Sequence, residues 1–176
     1  MTGSAARDHG PGSVGGPGLL EVEEGTASIL FRRVLRHPIE DVWAALTDPK
    51  QVAVWFLAKV HREDAPGGVL SMEHPNGVRA TGRVVEWRPP RVYEYEWNLP
   101  PGPNLPAGET SIVRWELTSV PDGTLLVLHH RRLSRPTAEV FARGLSNFLD
   151  RLAAQLDGTP LPDPPWLPRG EGARAA

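Results

Sequence analysis

Apolar and polar positions change period several times along this 176-residue chain, and the changes divide it into elements. Residues 26–36 (TASILFRRVLR) are rich in β-branched and apolar side chains and predict a strand, which Pro38 ends. Ile39, Val42, Trp43 and Leu46 then fall on one helical stripe. Pro38 suits the first turn, and Glu40 and Asp41 sit near the positive end of the helix dipole. Asp48 as N-cap and Pro49 as first helical residue restart a second short helix over 49–54, with Trp55 and Phe56 directly after it. From 59 to 133 the pattern is that of strands and turns, with strands predicted over 59–62 and 69–74 and in two hairpins. The last periodic stretch, 136–156, puts Phe141, Leu145, Phe148, Leu149, Leu152 and Leu156 on one stripe and ends at Gly158.

The hairpins carry the most information. In residues 82–97 (GRVVEWRPPRVYEYEW) the turn falls at Pro89-Pro90. A loop from Arg88 to Arg91 sets Trp87 opposite Val92, Glu86 opposite Tyr93, Val84 opposite Tyr95 and Gly82 opposite Trp97. Alternation then gathers Val84, Glu86, Tyr93, Tyr95 and Trp97 on one face, with Arg83 and Glu96 meeting on the other. Such a face is more polar than a plain core needs and reads as the wall of a cavity. A one-residue slip would turn Glu86 outward. In the second hairpin, 110–119 and 124–133, an Asp122-Gly123 turn pairs Leu117 with Leu128 and Trp115 with His130.

The order is β-α-α, about six or seven antiparallel strands in all, then a long helix. That predicts an α+β fold: a curved antiparallel sheet with the C-terminal helix on its concave face. Residues 1–21 and 158–176 are Gly/Pro-rich and predict disordered tails, with Trp166 as the large apolar side chain of the second. A single domain is expected over 22–157. No apolar run is long enough to span a bilayer, and the N-terminus has no apolar signal-peptide centre, so a cytoplasmic location is expected. A formal net charge of −2 argues against nucleic acid or an anionic membrane as partner. The absence of cysteine removes disulfides and thiolate chemistry. Monomer and homodimer both stay open.

Several side chains are candidates for chemistry. His130 points inward, either as a group that binds or moves a proton in a pocket, or as a core histidine satisfied by a neighbour. Glu86 with His130 and a tyrosine would form a polar cluster for proton transfer; otherwise Glu86 reaches water at its strand end. Leu70, Met72 and His74 alternate along one strand and are placed at the cavity mouth. Trp55 and Phe56 are placed at its entrance, or else close the core. His129 and His130 face opposite ways and cannot share a metal in regular strand geometry. No metal or cofactor is expected, and no phosphate-binding glycine loop or nucleophile elbow is present.

Taken in order, several pieces of this chain carry a resemblance. They are Val42-Trp43-Ala44-Ala45-Leu46-Thr47-Asp48-Pro49 followed by Trp55-Phe56; Gly67-Gly68 before a strand; and Gly82-Arg83-Val84-Val85-Glu86 with Pro89-Pro90 and then Val92 to Trp97. Gly123-Thr124 with Leu126, Leu128 and His130, and a closing helix ending Leu156-Asp157-Gly158, complete the set. Together, over about 28–158, they resemble the START-like (SRPBCC) superfamily with its helix-grip fold, and within it the branch named after the activator of the heat-shock chaperone ATPase (Aha-type). Two stretches depart from that branch. Its closing strand often ends Thr-His-Ser-Gly-Leu, where this chain has His129-His130-Arg131-Arg132-Leu133. Its last helix often carries Gly-Trp, where this chain has Gly144-Leu145, which removes an indole from the helix side of the cavity.

The resemblance implies a cavity between sheet and C-terminal helix, and members that bind apolar small molecules, cyclise or dehydrate polyketides, or activate a chaperone. The leading expectation is a protein that binds a hydrophobic or aromatic small molecule. Its wall is expected from Trp55, Phe56, Leu70, Met72, His74, Val84, Tyr93, Tyr95, Trp97, Trp115, Leu128, His130, Phe141, Leu145 and Phe148. The alternatives are a cofactor-independent polyketide cyclase, aromatase or dehydratase using His130 and Glu86, and a chaperone-activating interaction module. For the last, the chain lacks the additional N-terminal domain of eukaryotic activators.

Overall fold

The two-residue period of 59–133 builds one large antiparallel sheet. The computed structural model describes residues 13–15, 18–103 and 105–167. In chain order its strands are β1 (Ser13–Gly15), β2 (Leu19–Glu23), β3 (Thr26–Leu35), β4 (Lys59–Arg62), β5 (Val69–Glu73), β6 (Arg79–Arg88), β7 (Val92–Leu99), β8 (Glu109–Val120) and β9 (Gly123–Leu133). The helices are α1 (Ile39–Thr47), α2 (Pro49–Trp55) and α3 (Arg135–Asp157). These nine strands fill eight positions, because β1 and β2 share one edge of β3; the order inward from that edge is β3-β9-β8-β7-β6-β5-β4.

This is the expected α+β helix-grip arrangement, with two corrections at its margins. The sheet exceeds the expected six or seven strands because β1 and β2 arise in the stretch assigned to an N-terminal tail. All five β2 residues are exposed. An edge strand that buries no side chain leaves no alternation to detect. The second correction concerns the segment after α3, which is ordered back over the helix as far as Leu167. The tail residues 1–12, 16, 17 and 168–176 lie outside the described residues.

Both hairpin registers also differ from expectation. In β6–β7, Val84 does face Tyr95, but the register shifts between Val84 and Glu86, so that Glu86 pairs with Glu94, Trp87 with Tyr93 and Arg88 with Val92. A β-bulge of this kind turns every later side chain by one position. Glu86 therefore lies on the outer face, where its carboxylate meets Arg114 Nη1 at 2.6 Å and also pairs with Arg88. In β8–β9 the turn is Pro121-Asp122, and the ladder is displaced by two residues from the expected one: Leu117 pairs with Leu126, Trp115 with Leu128 and Val113 with His130. A shift of two preserves the faces, so His130 still points inward.

Each end of α3 is fixed by its own chemistry. At the start, Ser134 Oγ and Thr137 Oγ1 donate to Glu109 Oε2 at 3.1 and 2.6 Å, placing a carboxylate at the positive end of the helix. At the finish, Gly158 takes the left-handed conformation (φ 67°) and its N–H donates to Gln155 O at 3.2 Å. The C-terminal half is seated firmly. Leu149 and Leu152 are fully buried, Arg33 Nη1 reaches Asp150 Oδ1 at 2.6 Å, and His37 Nε2 lies 2.6 Å from Asp157 Oδ1. In the N-terminal half, Phe141 and Leu145 are only half-buried and Val140 is exposed. No described helix is long and apolar enough to cross a membrane.

Candidate functional site

The inner face of the sheet carries a continuous run of rings. Trp87, Tyr93, Tyr95 and Trp97 follow one another with centroid separations of 5.2, 4.6 and 6.5 Å. At one end of the run α1 and α2 close down. Trp43 packs on Trp87 at 5.1 Å, Trp55 meets Trp115 edge-on at 6.1 Å, and the Trp55 indole N–H donates to Ala45 O at 2.7 Å. Arg62 lies over the Trp87 and Tyr93 rings at 4.7 and 5.3 Å. Burial raises the Tyr93 phenol to about 12. This end is a solid core.

At the other end the sheet and α3 separate and leave a partly open cavity of about 920 Å³. Its sheet wall is Tyr95, Trp97, Val113, Trp115 and His130, and its helix wall includes Phe141, Gly144, Leu145 and Phe148. Phe56 and His74 form a corner, with centroids 4.8 Å apart and Phe148 a further 4.8 Å from Phe56. A Cβ built on Gly144 meets nothing within 4 Å, which shows how far the helix backbone stands from its neighbours here.

The cavity's fourth side is a segment with no hydrophobic period to place it there. Asp163, Pro164, Pro165, Trp166 and Leu167 line it, and the Trp166 ring lies 6.0 Å from His74 and 5.8 Å from Phe148. Arg151, itself buried, straps this segment down. Its Nη1 donates to Pro162 O, while Nε and Nη2 donate to Trp55 O and Val54 O at 2.9 and 3.0 Å. Asn147 Nδ2 donates to Asp163 O at 3.0 Å. One arginine thus joins the end of α2, the helix and the returning segment. A buried charge is tolerated here because three carbonyls accept from it.

The two histidines of the cavity are uncharged in the folded state. Burial pushes His74 down to about 4; burial, with a smaller contribution from the charge of His129, pushes His130 down to about 3. His130 Nε2 lies 2.8 Å from Ser111 Oγ, and Ser111 Oγ–H donates to Trp97 O at 2.9 Å. The His130 ring is stacked 5.6 Å from Phe141 of α3. Burial raises the Tyr95 phenol, whose oxygen accepts from the Trp115 indole N–H at 3.3 Å. His74 Nδ1, Trp97 Nε1 and Asn147 Oδ1 are buried on cavity-lining side chains and have no partner among the described residues.

The expected wall residues therefore divide. Phe56, His74, Tyr95, Trp97, Trp115, His130, Phe141, Leu145 and Phe148 lie on the cavity. Trp55, Leu70, Met72, Val84, Tyr93 and Leu128 do not; each is buried in the solid core instead. Apart from Trp55, which belongs to α2, they share a face of the sheet with the wall residues, but α1, α2 and the second half of α3 cover that part of it. Glu86, on the outer face, cannot join His130 in a proton-transferring cluster.

The fold is shared with other proteins. The family described as "Activator of Hsp90 ATPase homolog 1-like protein" matches residues 36–157. Protein MLL2253 from Mesorhizobium loti is 27% identical with a TM-score of 0.69, covering 76% of this chain and 99% of its own. CalU16 from Micromonospora echinospora is 28% identical with a TM-score of 0.63, covering 78% of each chain. DynU16, a protein of the dynemicin biosynthetic locus, is 25% identical with a TM-score of 0.64, over 80% of this chain and 51% of its own. No curated protein matches.

Proposed function

For a chain that belongs to the Activator of Hsp90 ATPase homolog 1-like family, we propose that the space beneath the first half of α3 binds a hydrophobic or aromatic small molecule. The observation that carries this reading is the cavity of about 920 Å³ itself. It falls at the upper end of the roughly 300–1,000 Å³ typical of ligand sites. Its wall is rich in aromatic rings, with the neutral histidines His74 and His130 among the polar groups that can orient a guest. A simple packing defect would be smaller and dry; a natural core leaves few voids larger than a water molecule.

Binding to the folded state alone raises stability by mass action, by about 2.7 kcal/mol at a ligand concentration a hundredfold above Kd. A panel of two- and three-ring aromatic compounds, screened by thermal unfolding, should therefore contain members that raise the melting temperature. A panel without effect, at concentrations near solubility, contradicts the reading.

A second reading, a cofactor-independent cyclase or dehydratase acting on a polyketide-like chain, is favoured by one observation from the site and one from the relatives. His130 is a neutral imidazole on the cavity wall, and DynU16 belongs to a biosynthetic locus. With Glu86 outside, His130 would act without a carboxylate partner. His130→Phe should then abolish turnover while leaving binding of apolar ligands intact. No observation on the described residues favours the chaperone-activating reading.

A further inference from the structure

We propose that the cavity selects an uncharged aromatic hydroxy compound, a phenol or an enol, whose O–H donates to Nδ1 of His130. This deepens the binding function above and rests on it. Ser111 is almost wholly buried, and its hydroxyl has one hydrogen; Trp97 O, 2.9 Å away, can only accept, so both contacts of this oxygen are hydrogen bonds only when that hydrogen goes to Trp97 O. His130 Nε2 lies 2.8 Å from the same oxygen. With the Ser111 hydrogen already placed, this contact is a hydrogen bond only if Nε2–H donates. A neutral imidazole carries a single ring proton, so Nδ1 is left bare and acts as an acceptor.

Nδ1 makes no hydrogen bond to the described residues, and the ring walls the cavity. Phe141 stacks at 28° to the ring and holds its plane. A guest that lies among Trp97, Phe141 and Phe148 and offers an O–H would satisfy Nδ1. A guest carrying only acceptors would leave Nδ1 without a donor. A carboxylate fares worse, having no hydrogen to give and losing its hydration. The cation on the cavity lining, Arg143, is an exposed residue at the rim. Ser111 is a positioning residue in this scheme, since it fixes which nitrogen keeps the proton.

The test uses four probes of one shape at pH 7: naphthalene, 1-naphthol, 1-methoxynaphthalene and 1-naphthoate. Affinities are measured by titration calorimetry on the full chain, for the wild type, His130→Phe and Ser111→Ala. Expected for the wild type is 1-naphthol tighter than 1-methoxynaphthalene by about fivefold to tenfold, the worth of one buried hydrogen bond. His130→Phe, which keeps a ring against Phe141, should bring the two together. Ser111→Ala should shrink the gap while leaving naphthalene affinity unchanged. Equal affinity for the naphthol and its methyl ether in the wild type overturns the inference and leaves a binding cavity standing. Tighter binding of 1-naphthoate than of 1-naphthol also overturns it, by moving recognition to Arg143. Failure of all four probes overturns the binding function itself. If His130→Phe does not fold, the wild-type comparison and Ser111→Ala decide.

Discussion

The two halves of α3 are made of similar residues and do different work. Along the second half, Leu149, Leu152 and Ala153 are buried against β3, α1 and α2, Arg33 pairs with Asp150, and His37 Nε2 lies 2.6 Å from Asp157 Oδ1. Along the first half, Phe141 stacks on His130, and Leu145 lines the cavity opposite Trp97 and Val113. The difference does not come from the helix stripe, which is apolar throughout. It comes from what lies beneath. The small helices α1 and α2 fill the gap at one end, while at the other the helix N-terminus is held off by Glu109, which binds Ser134 and Thr137. A helix pinned at both ends over a curved sheet leaves a void where no third layer intervenes.

The largest expected contrast is in stability. Leu152→Ala removes a fully buried side chain from the packed half and should cost about 2–5 kcal/mol, read by chemical denaturation. Leu145→Ala, over the void, should cost below about 1.5 kcal/mol, because part of its surroundings is already empty. Equal costs would dissolve the distinction between the halves.

The next effect is a pH dependence. His74 and His130 have folded-state values of about 4 and about 3, below the unfolded value of about 6.5. Between these limits the unfolded chain holds more protons than the folded one, so stability is fully present above about 6.5 and falls as pH drops toward 3–4. The slope is at most about 1.4 kcal/mol per pH unit for each histidine. Unfolding free energies measured from pH 7 to pH 5 should fall by about 2–4 kcal/mol, and His130→Phe should flatten about half of that slope. A wild-type curve that is flat from 7 to 5 would mean that water already reaches both rings.

The smallest effects come from refilling the void. Gly144→Ala should stabilise by about 0.5–1 kcal/mol, since the added methyl meets nothing within 4 Å and the helix loses a glycine. Leu145→Trp restores an indole on the helix side of the cavity. It should lower affinity for two-ring aromatics by about tenfold or more, about 1.4 kcal/mol, with little change in stability. Destabilisation by both substitutions would show that α3 lies closer to the sheet than described.

Much of this architecture was legible in the sequence, for a physical reason: a stripe or an alternation records which face is buried. That sufficed for β3 to β9, for the three helices, and for the inward direction of Tyr95, Trp97, Trp115 and His130. It survived even a two-residue error in the β8–β9 ladder, because such an error leaves faces unchanged. It did not survive the bulge after Val84, where a single extra residue reversed Glu86 without any glycine or proline to mark it. Alternation also does not report what covers a face, so Tyr93 and Leu128 in the solid core read the same as Tyr95 and His130 on the cavity. The segment bearing Trp166 was illegible for a third reason. Proline-rich chain has no period, and its anchor, Arg151, sits on a helix position that in sequence looks like any solvated arginine.

The most direct test of the void beneath the first half of α3 is a crystal structure of the protein soaked with 1-naphthol. The account predicts density for the two-ring compound between Trp97, His130 and Phe141, beneath Gly144, with Trp166 closing over it. Phe141 and Leu145 found packed directly on Trp97 and Val113, with no room for a guest, would contradict it.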